Sequence, residues 1–495
     1  MEALVNLGLG LSVALTYQNI IYCFIGVLIG TLVGVLPGIG PLAALSILLP
    51  FSFAIGDPAG AIILLAGIFY GTQYGGSTTS ILLKLPGEVS SVVTAIDGYG
   101  MTQRGRAGAA LAIAAVSSFV AGTIAVLIMA LVSGPLSSLA YTFGPVEYSV
   151  IMFASLLLSV ILIQGDFLKG IGMVCIGILL GLIGVDINTG IVRFSFGTLS
   201  LSDGISFGLI AMGLIGLAEI LWNLLHTDEI KAESPKLKNL YPNKEEIKES
   251  YTAVLRGTLI GSILGILPGG GIIISSFASY VVEKKLSKNP NFGSGAPAGV
   301  AGPEAANNAA SQTGFIPLLT LGIPTTPVMA IMLSALLFHG IYPGPQTITQ
   351  TPDLFWGLIV SMWVGNLFLL ILNLPLIGIW VKLLQTPRKI LYPIILIFCI
   401  IGAYYISNNW FHVLLLIPLA IIGYIFKQLG CEPAPLALGF IIGPMFEEYL
   451  RRSLTISQGD WSIFLESPIS LTILIAIMLI LFFKLTWNLF VKKQI

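Results

Sequence analysis

The chain has 495 residues, of which 56% are hydrophobic and only 9% charged, against about 25% charged in an ordinary soluble domain. Its 23 basic residues balance 23 acidic ones, so there is no basic footprint for nucleic acid. A soluble core cannot hide so many long apolar segments, and the composition predicts an all-α polytopic protein of the membrane.

In chain order, no Lys or Arg precedes Lys84. The start therefore lacks the positive region of a cleaved signal peptide, and Ile20 to Leu36 reads as a retained span. Leu36-Pro37-Gly38-Ile39-Gly40-Pro41 follows, then a short apolar run, Leu42 to Phe53, interrupted by Pro50. Ala61 to Phe69 and Ile81 to Leu85 flank the polar block Tyr74 to Ser80. Asp97-Gly98-Tyr99, with Arg104 and Arg106, reads as a loop. Ala107 to Val132, Val146 to Ile163 and Ile205 to Leu225 read as further spans, with Asp166 and Lys169 as a loop pair.

Residues 226–256 hold 12 of the 46 charges and read as a solvated linker between a first membrane repeat, 1–225, and a second, 257–495. The second half contains Leu267-Pro268-Gly269-Gly270, the string Pro303 to Thr313, and Leu321-Gly322-Ile323-Pro324-Thr325-Thr326. Its spans are Leu354 to Trp380, Leu391 to Ile406 and Ser470 to Phe490, with Glu447, Glu448, Arg451 and Arg452 as loop pairs. Trp222, Trp461 and Trp487 stand near segment ends, where aromatic belts belong. Arg104, Arg106, Lys382, Arg388, Lys389, Lys492 and Lys493 mark cytoplasmic ends under the positive-inside rule. The expectation is about 11–13 transmembrane helices plus re-entrant or broken ones. Four dispersed cysteines and three scattered histidines give no metal centre.

The halves match. Gly34-Val35-Leu36-Pro37-Gly38-Ile39-Gly40 follows the first span, and Gly265-Ile266-Leu267-Pro268-Gly269-Gly270-Gly271 follows the charged stretch. Pro37 to Pro86 spans 49 residues and Pro268 to Pro324 spans 56, which argues for duplicated units of inverted topology. Gly and Pro in a membrane segment leave backbone groups unpaired, and these survive only against protein or an aqueous cavity. The tips Pro37, Gly38, Gly40, Pro268, Gly269 and Gly270 can offer carbonyls to a cation or N–H groups to an anion. A single such motif reads as a kink; a matched pair reads as a site.

Tyr74, Gly75, Gly76, Ser77, Thr78 and Thr79 offer hydroxyls and close backbone approach to a substrate, the alternative being a turn at the membrane surface. Lys84 either attracts an anion or snorkels to the interface. Asn307, Asn308, Ser311, Thr313, Thr325 and Thr326 read as substrate or ion contacts. Glu304 reads equally as a protonation or cation site and as a helix N-terminal charge. The two polar blocks are expected to meet near mid-membrane across a pseudo-two-fold axis, facing one hollow.

The stretches Gly34 to Pro41, Tyr70-Gly71-Thr72-Gln73-Tyr74-Gly75-Gly76, Lys84 to Glu88, Asp97-Gly98-Tyr99 and Gly105-Arg106-Ala107 are similar to the large permease subunit of the tripartite tricarboxylate transporter family. So are Leu267-Pro268-Gly269, Pro303 to Ala310 and Leu321 to Pro324, and together they cover nearly the whole chain. The resemblance implies a secondary transporter of about a dozen helices in the prokaryotic inner membrane, importing a di- or tricarboxylate with sodium or protons and using no cofactor. It also implies a small four-helix membrane subunit and an extracytoplasmic solute-binding protein as partners; whether the chain forms a homodimer stays open.

Two other readings remain. A passive channel, or a carrier of another solute without those partners, requires a continuous polar path or a separate drive. A membrane-embedded enzyme requires a nucleophile–base set, an HExxH helix or a P-loop, and none of these is in the sequence.

Overall fold

The computed structural model describes residues 2–36, 40–84, 88–161, 166–186, 189–226, 241–268, 271–287, 289–376, 378–379 and 388–491. Pro37, Gly38, Gly269 and Gly270 lie outside the described residues, as does 227–240 of the charged stretch. The described chain is helical nearly throughout; a two-stranded ribbon pairs Gly184–Val185 with Val192–Arg193. The first half runs α1 (Glu2–Ala14), α2 (Tyr17–Val35), α3 (Pro41–Phe53), α4 (Pro58–Leu83), α5 (Val92–Gln103), α6 (Ala107–Ala140), α7 (Pro145–Ile161) and α8 (Phe167–Gly181). A π-helical segment, Ala211–Leu217, joins α9 (Phe207–Ile210) to α10 (Ala218–Leu225). The second half runs α11 (Lys244–Leu264), α12 (Gly271–Leu286), α13 (Ala298–Thr313), α14 (Phe315–Leu321), α15 (Pro327–Phe338), α16 (Thr347–Gln350) and α17 (Pro352–Asn373). It closes with α18 (Arg388–Ser407), α19 (Trp410–Gln428), α20 (Pro433–Ile456), α21 (Ile463–Glu466) and α22 (Pro468–Val491).

Helices start where the sequence supplies caps. The Thr16 side chain accepts from Asn19 N–H, Asp57 accepts from Ala59 and Gly60 N–H, and Asn243 with Glu246 forms a capping box. Among the described residues, five helices are long and apolar enough to cross a bilayer: Tyr17–Val35, Ala107–Ala140, Phe207–Leu225, Pro352–Asn373 and Trp410–Gln428. Shorter apolar helices, α3, α7, α8 and α15 among them, fill in between. The protein is an all-α polytopic membrane protein. At 34 residues, α6 is about 51 Å long, and it touches α4, α5, α11, α13 and α17 as a central post.

Among the described residues, α2 packs along α4 more extensively than any other pair, and α11 along α13 comes next. Both contacts rest on glycine. A Cβ at Gly26, Gly30 or Gly34 would press into the backbone of Leu64, Ile68 or Thr72, and one at Gly71 or Gly75 would lie 2.5 or 2.6 Å from the carbonyl oxygen of Val27 or Thr31. On α11, a Cβ at Gly257, Gly261 or Gly265 would press into Gly302, Ala306 or Ala310 of α13. Lipid tails give helices no hydrophobic reason to associate, so this backbone-to-backbone approach supplies the van der Waals contact that holds them. The glycines stand four apart on each helix, and the last precedes Pro37 or Pro268 by three residues. Helix stops at Val35 and resumes at Pro41, and stops again at Leu264 to resume at Gly271.

Several stretches read from the sequence as loop or turn are helix. Tyr74 to Ser80 belongs to unbroken, buried α4; packing on α2 outweighs the roughly 1 kcal/mol that each glycine costs a helix. Asp97-Gly98-Tyr99 sits in α5, with Asp97 0% exposed. Glu447 with Arg451, and Glu448 with Arg452, are i,i+4 pairs along α20. Asp166 caps α8. Lys244 to Arg256 forms the first turns of α11, where Glu246 pairs with Arg106 at 2.5 Å and Arg256 with Glu283 at 2.6 Å.

Candidate functional site

Helix α13 carries the centre of the site. Glu304, Asn307, Asn308, Ser311 and Gln312 recur at helical spacing and are all buried. Glu304 is 1% exposed. Its Oε2 accepts from Ser77 Oγ of α4 at 2.7 Å and from Ser118 Oγ of α6 at 3.4 Å, while Oε1 accepts from Thr94 Oγ1 of α5 at 2.7 Å. Asn308 Nδ2 donates to Ser118 Oγ at 2.7 Å and to the Glu304 carbonyl at 3.1 Å, tying the hydroxyl to the carboxylate. Four helices thus meet on one carboxylate through neutral donors. Among the described residues no cationic side chain pairs with it. A buried carboxylate held by hydroxyls alone is well placed to take up a proton or a bound cation.

Two features hold this geometry. Asp97, one turn after Thr94 on α5, accepts from the backbone N–H groups of Gly293 (2.9 Å), Gly295 (2.7 Å) and Ala296 (2.8 Å), and from Tyr280 OH (2.9 Å). It clamps α5 to the segment leading into α13. Glu283, 1% exposed and held by Arg256, lies against Gly302 on the same turn of α13 as Glu304.

A cavity of about 10 Å³ lies among Tyr74, Ser77, Thr78, Ser118, Glu304 and Asn373. That is room for one water, or for a small bare cation, and too little for an organic acid. The first and second polar blocks therefore meet in this closed arrangement, at Ser77 and Glu304. Buried polar groups are nearly always bonded, yet Tyr74 OH and the Oδ1 of Asn373 have no partner among the described residues. Gln73 Oε1, Asn307 Oδ1, Gln312 Oε1 and both polar atoms of Asn366 are equally unpaired.

The remaining sequence-predicted residues divide. Asn307 Nδ2 donates to Glu88 at 2.8 Å, beside the Ser80–Ser91 hydroxyl pair. Ser311 donates to the Asn307 carbonyl, and Thr79 to the Gly76 carbonyl. Gly75 serves the α2 contact, and Thr313 faces Gly265 of α11. Thr325 donates to the Gly314 carbonyl, and Thr326 caps α15 through Met329 N–H. Gly40 precedes α3 as its N-cap, and Pro268 lies in the bend after α11. Sequence reasoning missed Thr94, Ser118, Asp97, Asn366 and Asn373. The two asparagines did carry a signal: they stand seven apart, on one face of an apolar span.

Comparison with known proteins decides the family. A sequence profile described as "Tripartite tricarboxylate transporter TctA family" matches residues 20–438. The chain belongs to this family. As a TctA-family chain it is a tripartite tricarboxylate transporter permease, the large membrane subunit, and this is a family of transporters and not of enzymes. An Agrobacterium vitis protein described as "Uncharacterized 52.8 kDa protein in TAR-I ttuC' 3'region" is 53% identical over 475 residues, covering 96% of this chain and 94% of its own length. A second from the same organism, "Uncharacterized protein in TAR-II ttuC' 3'region", is 60% identical over 215 residues, 43% of this chain and 89% of its own. No solved structure matches the chain. The TctA-like stretch Pro303 to Ala310 is the one that carries Glu304, Asn307 and Asn308 into the site.

Proposed function

We propose that this permease is a secondary active importer of a small di- or tricarboxylate, driven by a sodium or proton gradient across the prokaryotic inner membrane. It works with a small four-helix membrane subunit and an extracytoplasmic solute-binding protein. The observation that carries the reading is Glu304: a carboxylate buried where α4, α5, α6 and α13 meet, held by three hydroxyls and facing a water-sized cavity. A site of that size, with the Glu304 carboxylate and the Ser77 and Ser118 hydroxyls on one side and Leu111, Ala114 and Ala115 also lining it, suits a sodium ion or a proton, whose arrival neutralises the carboxylate. The unpaired amides and hydroxyls around it then supply contacts for the acid once the helices part.

The matched glycine ladders, Gly26-Gly30-Gly34 on α2 and Gly257-Gly261-Gly265 on α11, support two related halves whose relative movement opens the site alternately. A passive channel fits less well, because the cavity beside Glu304 is narrow where a channel needs a continuous polar path.

The test is uptake of labelled citrate, tartrate, succinate and glutarate into vesicles from the protein's native cells, with vesicles lacking the chain as the blank. Accumulation above the outside concentration under an imposed sodium or pH gradient supports the proposal. Equilibration alone, unaffected by either gradient, refutes it.

A further inference from the structure

One turn along α6 from Ser118 stands Gly122, and one turn along α13 from Asn308 stands Gln312. A Cβ at Gly122 would lie 2.5 Å from Asn366 Nδ2 of α17 and 2.6 Å from Gln312 Nε2. Two amide nitrogens from two helices therefore converge on Gly122, where no side chain separates them from the α6 backbone. Asn366 is 0% and Gln312 1% exposed, and Asn366 Nδ2, Asn366 Oδ1 and Gln312 Oε1 all lack hydrogen-bond partners among the described residues. The frame around the notch is fixed: Trp363 Nε1, one turn before Asn366, donates to the carbonyl of Thr123, the neighbour of Gly122, at 3.2 Å.

Leaving so many amide atoms unbonded within a bundle is unfavourable unless something brought in bonds them. Donors converging from two neutral side chains suit an anion with planar oxygens, and the adjoining amide carbonyls suit a hydroxyl or water beside it.

We infer that Gly122, Gln312 and Asn366 form a carboxylate-binding notch, one helical turn from the Glu304 site, that holds one carboxylate group of the transported acid. This inference rests on the reading of the chain as a carboxylate carrier and adds where the acid sits. Gly122 is four residues, about 6 Å, along α6 from Ser118, and Gln312 is eight residues, about 12 Å, along α13 from Glu304. A cation held by Glu304 and a carboxylate in the notch then attract each other across a low-dielectric interior, so binding of either favours the other.

The experiment uses the purified full-length chain in detergent and follows thermal unfolding during titration with citrate and with succinate, each in sodium chloride and in choline chloride. The wild type is expected to be stabilised by at least one of these acids. Asn366→Leu and Gln312→Leu should need roughly ten- to a hundredfold more of that acid, the loss expected for one charge-assisted hydrogen bond. Their response to sodium without acid should persist, and in acid-free buffer both should unfold at or above the wild-type temperature, because each deletes an unbonded buried amide. A structural role would lower that temperature. Gly122→Ala leaves both amides in the sequence but pushes them aside, its new carbon lying 2.5 Å from one and 2.6 Å from the other, and should also weaken the acid response. Asn366→Leu and Gln312→Leu proteins that titrate like the wild type, or that unfold at lower temperature, overturn the notch while leaving carboxylate transport intact. A wild type stabilised by neither acid overturns the transport reading and the notch with it.

Discussion

Replacing Asp97 tests whether the site geometry depends on the clamp beneath it. Its carboxylate accepts three backbone N–H groups and one tyrosine hydroxyl, all at 2.7–2.9 Å in a fully buried setting. Hydrogen bonds to a charged group contribute about 1.5–3 kcal/mol each, and neutral ones about 1. Asp97→Asn can keep its oxygen on the three N–H groups and turn its amide towards the Tyr280 oxygen, so each bond survives at neutral strength. The expected loss is about 3 kcal/mol. Asp97→Ala leaves three buried backbone donors and a phenol unpaired, at about 1–3 kcal/mol apiece, for a loss of about 6 kcal/mol or more. Tyr280→Phe removes one bond and should cost about 2 kcal/mol. The assay is the rate of irreversible heat inactivation in detergent, followed by tryptophan fluorescence, alongside uptake in vesicles. The order Ala, Asn, Phe in falling severity is expected, with uptake reduced in the Asn variant because a weaker clamp holds Thr94, one turn away, less firmly on Glu304. Heat inactivation of Asp97→Ala at the wild-type rate would refute the clamp.

Three further outcomes follow from the same structure. Gly261→Leu forces a side chain into the Ala306 backbone, where neither helix can yield. It should cost at least about 3 kcal/mol and sharply reduce the folded protein recovered from membranes. Gly172→Ala on α8, with nothing within 4 Å of the new carbon, should be neutral or stabilising by up to about 1 kcal/mol. Arg256→Met strands Glu283, 1% exposed, and should cost about 3 kcal/mol; adding Glu283→Met should restore most of that, since both charges then leave together. Heat-inactivation rates of the single and double variants measure this directly.

The spans were legible because a run of about 20 apolar residues has few other uses, and α2, α6, the Phe207–Leu225 helix, α17 and α19 fall near where hydropathy puts them. The string around Glu304 was legible too, since carboxamides and a carboxylate among alanines are costly in a bilayer without a purpose. The block Tyr74 to Ser80 was legible as polar but not as helix. Its glycines and hydroxyls carry turn propensity, and what makes them helical is α2, a partner some 40 residues earlier. Asp97 looked like a loop acid because its partners are backbone N–H groups nearly 200 residues downstream, which no local pattern reveals. Ser118 and Thr94 are ordinary small residues until the fold turns them towards Glu304, and Asn366 and Asn373 were hidden inside a run read as a plain span.

The central claim is that Glu304 is the group through which a cation gradient drives the acid. The most direct measurement compares the wild type with Glu304→Gln, which keeps the shape and the hydroxyl contacts and removes the charge, in native-cell vesicles under imposed sodium and pH gradients. The wild type should concentrate a carboxylate above the outside level under one of these gradients, and the variant should lose that dependence while remaining folded in the membrane. A Glu304→Gln protein that concentrates the acid as steeply as the wild type, under the same gradient, would contradict the account.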